Sequence, residues 1–78
     1  QGKPAPDVFL TAAKHLQIDA VNCLVFEDSY NGVLAAKAAN MKCVAVPAAE
    51  HFHQERFDIA DVKLPSLKYW NDEYWLKF

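Results

Sequence analysis

Two short runs in which every residue is apolar, Cys23-Leu24-Val25-Phe26 and Cys43-Val44-Ala45-Val46, limit what this chain can fold into more than any other feature. A strand with one face in water alternates polar and apolar residues, whereas a strand covered on both faces of a parallel sheet does not. The first run stops at two carboxylates, Glu27 and Asp28, and the second at Pro47. Between them an alanine-rich stretch from about Tyr30 to Ala39 favours helix despite Gly32, with Ser29 suited to its N-cap and Asn40 to a left-handed end. Strand, helix, strand with short connections is the unit of an open parallel sheet, so the expected fold class is α/β, parallel strands with flanking helices.

The flanking segments extend this rhythm. Each X-Pro pair pushes the preceding residue out of the α region, which keeps Lys3 and Ala5 extended. A helix then starts with Pro6 at its first position and Asp7 at its positive end, turns Val8, Phe9, Ala12, Ala13 and Leu16 to one face, and ends near Gln17. Residues 48–60 turn polar and aromatic and read as a loop with a short helical turn. Asp61-Val62-Lys63-Leu64 reads as a short edge strand. Asn71 to Phe78 reads as a final amphipathic helix, capped by Asn71 or Asp72, with Tyr74, Trp75 and Phe78 as its apolar part. Parallel strands need neighbours on their edges and helices on both faces, so further strands are expected to complete this sheet.

Size adds to that expectation. A chain of 78 residues is one small domain at most, and at this length folding buries only about 60% of the surface that the unfolded chain exposes. Its hydrophobic share of 53% is high for that size, which implies apolar surface in need of a cover. Cys23 and Cys43 lie in strand-like runs outside any C-x-x-C spacing and read as reduced, buried thiols of a cytosolic protein; a disulfide between neighbouring strands is the alternative. No apolar run approaches the roughly 20 residues of a membrane span, and the start lacks the pattern of a signal peptide. With a net charge of −2 and lysines scattered among acids, no basic stripe forms for nucleic acid. A soluble, cytoplasmic protein with no membrane or nucleic-acid partner is expected.

In open α/β sheets ligands gather at the carboxyl ends of strands, where Glu27 and Asp28 sit side by side. The turn into the next helix can swing both toward the mouth of the sheet as hard oxygen ligands for Mg²⁺, and the helix points its positive end at the same place. An acidic helix cap gives the same two letters, so the pair alone is a weak signal. Lys3, fixed by Pro4 at the mouth of the same layer, adds a positive charge for phosphate oxygens, although a lone lysine is ordinarily just solvated.

Taken together, Gly2-Lys3-Pro4-x-Pro6-Asp7, then Val25-Phe26-Glu27-Asp28-Ser29-x-x-Gly32, then Ala35-Ala36-x-Ala38-Ala39-x-Met41 leading into Cys43-Val44-Ala45-Val46-Pro47, resemble the haloacid dehalogenase-like phosphatases of the sugar-phosphate branch. The resemblance implies that residues 1–78 are the C-terminal part of a Rossmann-like core domain. It implies that Lys3 is the lysine steadying the nucleophile and the phosphoryl charge, and that Glu27 and above all Asp28 hold Mg²⁺. Ser29 and Asn31 would shape the loop behind these ligands, and Gly32 would permit close helix packing. The family's first motif, Asp-x-Asp-x-Thr, which carries the aspartate nucleophile, occurs nowhere in the sequence. Without it no phosphoryl-aspartate forms, so the N-terminal half and the substrate-selecting cap are expected to be missing and the chain alone to be inactive. Gln17 and Asn40 stand where many relatives have glycine.

The implied activity of the intact protein is Mg²⁺-dependent hydrolysis of a small-molecule phosphate ester: a hexose, deoxyhexose or hexitol phosphate. A β-phosphoglucomutase-like hexose phosphate mutase uses the same motifs and stays open, as does a non-catalytic module that docks through an exposed sheet edge. His51 and His53 with Glu55 make a poor zinc site, since two histidines lack their further ligands. His15 reads as a surface residue. The aromatic residues Phe57, Tyr69, Trp70, Tyr74, Trp75 and Phe78 lack the basic groove of a base-stacking platform and read as core packing or uncovered surface.

Overall fold

Asp7–Leu16 form helix α1, whose N-cap is Pro6: the proline sits just outside the helix rather than at its first position, and its carbonyl accepts from Leu10 N at 3.0 Å. The computed structural model describes residues 5–78. After a 3₁₀ turn at Ala20–Asn22 the chain enters strand β1, Leu24–Glu27, then helix α2, Tyr30–Ala38, and strand β2, Lys42–Ala45. Two further 3₁₀ turns, Ala49–His51 and Glu55–Ile59, lead to strand β3, Val62–Lys63. Last come two more 3₁₀ segments, Leu67–Tyr69 and Asp72–Lys77.

The three strands form one sheet in the order β1-β2-β3, parallel throughout, as the unbroken apolar runs require. Val25 lies opposite Cys43 and Glu27 opposite Ala45, and Lys63 continues that row on β3. Both helices end in the left-handed conformation, at Gln17 with φ 58° and Asn40 with φ 64°. The next amide reaches back to close each end, Ile18 N to Ala13 O and Met41 N to Ala36 O, both at 3.1 Å. Gln17 and Asn40 thus adopt the geometry that glycine takes most easily.

Against one face of the sheet, α2 buries Val33 and Ala36 with Cys43, Ala45 and Phe57; Ala13 of α1 joins Ala39 and Met41 in a second cluster. Phe9 and Val25 pack against both clusters and join them into one layer. The small alanines let α2 lie close to β2, so the core is built of contact rather than of bulk.

On the other face the sheet edge is bare, in line with the expected need for further strands, and at the end of the chain one expectation fails. Among the described residues β1 is an edge strand and is not covered on both faces: Phe26 keeps 41% of its surface exposed and meets Trp70 in a T-shaped contact at a centroid distance of 5.1 Å. Its apolar run is written for a cover that these residues do not supply. The final segment is 3₁₀ rather than an amphipathic α-helix, with Trp75 50% and Leu76 87% exposed. So short a segment forms too few i to i−4 bonds to offset the cost of nucleating an α-helix, and only Asn71 caps it, through Glu73 N at 2.8 Å.

Cys43 is fully buried, while Cys23 is half-buried; both are free thiols, and the register sets Cys43 opposite Val25. Burial pushes the Cys43 thiol up to about 12, with Asp61 and Glu27 adding to the shift and Lys37 opposing it. The thiolate is the reactive form. Iodoacetamide at neutral pH is therefore expected to modify Cys23 and to spare Cys43 until denaturant is added. Equal labelling of both thiols in the native protein, by peptide mass mapping, would contradict the burial of β2.

Candidate active site

Strand β1 runs one residue further than its apolar stretch: Glu27 is still in the ladder, with its carbonyl accepting from Val46 N at 2.8 Å, and Asp28 is the first residue beyond it. Ser29 then caps α2, its Oγ accepting from Gly32 N at 3.0 Å. Exposed donors at the start of a helix favour negative charge nearby. Here the strand supplies it, because the first turn of α2 has no acidic residue of its own.

Glu27 does not swing outward beside Asp28. Its Oε1 accepts from Asp28 N at 3.2 Å, Ser29 N at 3.4 Å and Ser29 Oγ at 3.3 Å, so the side chain folds back over the turn. Gly32 makes the room. A Cβ at that position would run into Cγ, Cδ and Oε1 of Glu27. The glycine was expected to serve helix packing, whereas it is the Glu27 side chain that lies against it. Glycine costs about 1 kcal/mol of helix propensity relative to alanine in a helix interior, and the space it leaves is the compensating feature in the structure.

Asp28 is exposed, and its carboxylate makes no hydrogen bond or ion pair with the described residues. It lines an open depression of about 240 Å³ with Phe26, Glu27, Val46 and Leu67. Val46 was named from sequence only as part of an apolar run, and Leu67 not at all; an apolar residue carries no mark of lying beside a carboxylate until the fold is known. The structure thus gathers Glu27, Ser29 and Gly32 into one turn with Asp28 at its rim. Asn31 is exposed on the first turn of α2. Lys3 lies outside the described residues.

The donor set suits Mg²⁺ in a limited way. Asp28 offers free, hard oxygens, whereas one oxygen of Glu27 already serves three donors. No group of three or more His, Cys, Asp or Glu side chains that could hold a metal occurs among the described residues. Mg²⁺ keeps several waters and takes one or two carboxylates plus substrate phosphate, which this turn can satisfy in part. His51 and His53 stand elsewhere and are exposed, His51 Nδ1 lying 3.0 Å from Gln54 Nε2 and His53 edge-on to Phe52. Lys63 shares the sheet's carboxyl end with Glu27 but is held by Asp58 at 3.0 Å and lies over the Phe52 ring.

Residues 1–40 match the family model of the haloacid dehalogenase-like hydrolases. The chain belongs to that family. Hexitol phosphatase B of Escherichia coli K12 is 49% identical over 65 residues, which make up 83% of this chain and 29% of that protein. (DL)-glycerol-3-phosphatase 2 of Arabidopsis thaliana is 46% identical over 80 residues, covering 96% of this chain and 32% of that protein. The crystal structure of a β-phosphoglucomutase from Clostridium difficile superposes with a TM-score of 0.82 at 31% identity, over 99% of this chain and 32% of that one. The chain therefore spans about a third or less of the relatives it matches. Its parallel sheet and flanking helices are the Rossmann-like arrangement of those haloacid dehalogenase structures.

No helix among the described residues is long and apolar enough to cross a membrane.

Proposed function

We propose that this chain supplies the metal-binding part of a Mg²⁺-dependent phosphoric monoester hydrolase acting on a small sugar phosphate, as the C-terminal part of its core domain. The observation that carries this reading is Asp28: an exposed carboxylate without a described partner, at the carboxyl end of a parallel strand and beside the capped start of α2. Asp28 is the direct oxygen ligand, with Glu27 beside it. When bound, Mg²⁺ supplies positive charge against the phosphate oxygens. Lys3 adds a second positive charge, Ser29 and Asn31 shape the turn, and Gly32 accommodates Glu27. The aspartate nucleophile comes from an Asp-x-Asp-x-Thr segment outside these residues. Support for the substrate class comes from the relatives, which are named for hexitol phosphate and glycerol phosphate hydrolysis. The similarity to a β-phosphoglucomutase favours a second reading, transfer of the phosphoryl group between positions of one hexose.

The test is phosphate release from hexitol and hexose phosphates by the polypeptide of the complete reading frame that carries these residues. Release is expected to require Mg²⁺ and to fall by at least about a hundredfold in Asp28→Asn, equivalent to losing roughly 3 kcal/mol of charge stabilisation. Isomerised hexose phosphate in place of inorganic phosphate would favour the mutase. Turnover indifferent to both EDTA and Asp28→Asn would sink the proposal. The 78 residues alone are expected to release no phosphate above background.

A further inference from the structure

We infer that residues 66–78 are a hinged strap: one segment that lies across the sheet face turned away from α2, carries Leu67 to the depression beside Asp28, and lifts off as a unit while the sheet stays folded. The strap does so whatever Asp28 binds.

Alternation along the strands sets up the face. Val25, Cys43 and Ala45 pack toward α2, so Phe26 and Val44, paired in the register, point the other way. Val44 is fully buried there and so is Leu64, just after β3, although α1 and α2 both pack on the opposite face. The chain after β3 reaches this face at three points. Leu67 lines the depression with Phe26 and Val46 at the carboxyl end of the strands. Trp70 meets Phe26 edge-on at 5.1 Å and stacks on Tyr74 at 5.4 Å. Trp75 and Phe78 line a cavity of about 320 Å³ with Val21, Asn22 and Lys42 at the amino end. The segment thus runs the length of the face.

What holds it there differs from what holds the sheet. The last described backbone bond into the sheet is Leu64 N to Ala45 O at 2.9 Å. Pro65 follows with no N–H to give, and Ser66 is extended. Beyond it the described backbone bonds are local: Tyr69 N to Ser66 O at 3.1 Å, Trp70 N to Leu67 O at 3.0 Å and Tyr74 N to Asn71 O at 2.9 Å. Trp70 Nε1 likewise donates within the segment, to Asp72 Oδ1 at 3.2 Å. Lifting the strap breaks side-chain contacts with the face and none of these bonds. Those contacts are partial, since Leu67 and Trp75 both stay exposed. Segments held by few buried apolar contacts open at a lower free energy than a core ladder. Closed, the strap shields Val44 and walls the depression; open, it removes both together, so one motion sets access to both.

Amide hydrogen exchange of the 78-residue chain, read by NMR in urea below the unfolding transition, tests this. The sheet reporters are Lys42 N, bonded to Cys23 O at 3.0 Å, and Val46 N, bonded to Glu27 O at 2.8 Å. The strap reporters are Tyr69, Trp70 and Tyr74. Strap amides are expected to exchange more slowly than a random coil, with one common protection at least about tenfold below that of the sheet amides. Trp75→Ala, at the amino end of the face, should quicken Tyr69 and Trp70 by about fivefold, the same factor as Tyr74, because the strap opens whole.

Strap amides as protected as Lys42 and Val46 would overturn the inference, since the segment would then open only with the sheet. Strap amides at the random-coil rate would overturn it too, because the segment would not be seated. So would a Trp75→Ala effect confined to Tyr74. The parent's own pattern decides the matter even if Trp75→Ala fails to fold.

Discussion

Replacing Phe57 by alanine is expected to remove the cooperative unfolding transition of this chain. Phe57 is 2% exposed and fills the centre of the layer between α2 and β2, touching the cluster of Val33, Ala36, Cys43 and Ala45. It meets Tyr30 edge-on at 6.3 Å, and the Arg56 guanidinium lies over both rings, 5.1 Å from the centre of Tyr30 and 5.7 Å from that of Phe57. The buried residues around it are short, and Val33, two alanines and a cysteine have little side chain with which to refill the space. Deleting a buried phenylalanine costs about 3–5 kcal/mol, with the upper part reached where the cavity cannot collapse. A single small core rarely supplies more than about 3–5 kcal/mol in total, so the variant should lose the sigmoidal urea transition and the near-ultraviolet circular dichroism of its packed rings. Phe57→Leu, which keeps most of the volume, should retain both with a lowered midpoint. A Phe57→Ala transition coincident with the parent's would mean that the core lies elsewhere.

The second large effect is expected at Asp61, where the chain turns into β3. Its Oδ2 accepts from Lys37 Nζ at 2.8 Å and from Cys43 N at 2.7 Å, and Lys37 Nζ also donates to Met41 O at 3.1 Å. One carboxylate thereby ties the end of α2 and the start of β2 to the entry of β3. Asp61→Ala leaves the amide of the buried Cys43 without its acceptor and should cost about 1.5–3 kcal/mol, the range for hydrogen bonds to a charged group. Asp61→Asn keeps an acceptor but loses the ion pair and should fall between.

The same contacts predict a pH dependence. Burial alone would raise the Asp61 carboxyl, but the hydrogen bonds from Lys37 and Cys43 and the charges of Lys37 and Lys42 outweigh it and hold the group below its ordinary 3.8. For a carboxylate depressed in the folded state, the stabilisation is fully present above the unfolded value and is lost as pH falls through the folded one. The stability gap between parent and Asp61→Asn, measured by urea titration, should be constant above about pH 5 and close as pH falls below the ordinary carboxylate range. A gap that stays constant down to pH 2 would show that Asp61 is not held as an ion.

Asp61 is also the clearest case of what one-dimensional reading misses. In sequence it is the first letter of a short strand, and nothing nearby marks Lys37 as its partner, 24 positions away. The pairing exists because α2 brings Lys37 to the end of the layer at which β3 begins. Glu27 is a subtler case. The two carboxylates after an apolar run were legible as a candidate site, and Ser29 as a cap, because both follow from local chemistry. That Glu27 folds back while Asp28 faces the depression was not legible, because it depends on the empty volume over Gly32, and a glycine reads the same whether it admits a helix or a carboxylate.

By itself, the sequence determined the parallel α/β character, the order of elements through β3, the helix end near Gln17, the left-handed end at Asn40 and the family, since each rests on periodicity, capping or a local motif. Tertiary structure alone decided that Phe26 on β1 stays half bare, that the last segment winds as 3₁₀ turns, and that the Glu27 side chain folds back over the turn while Asp28 stays exposed at its rim. The division has one physical reason. Backbone preference and hydrophobic period act over a few residues, whereas exposure, register and the direction of a carboxylate depend on which distant atoms fill the neighbouring space.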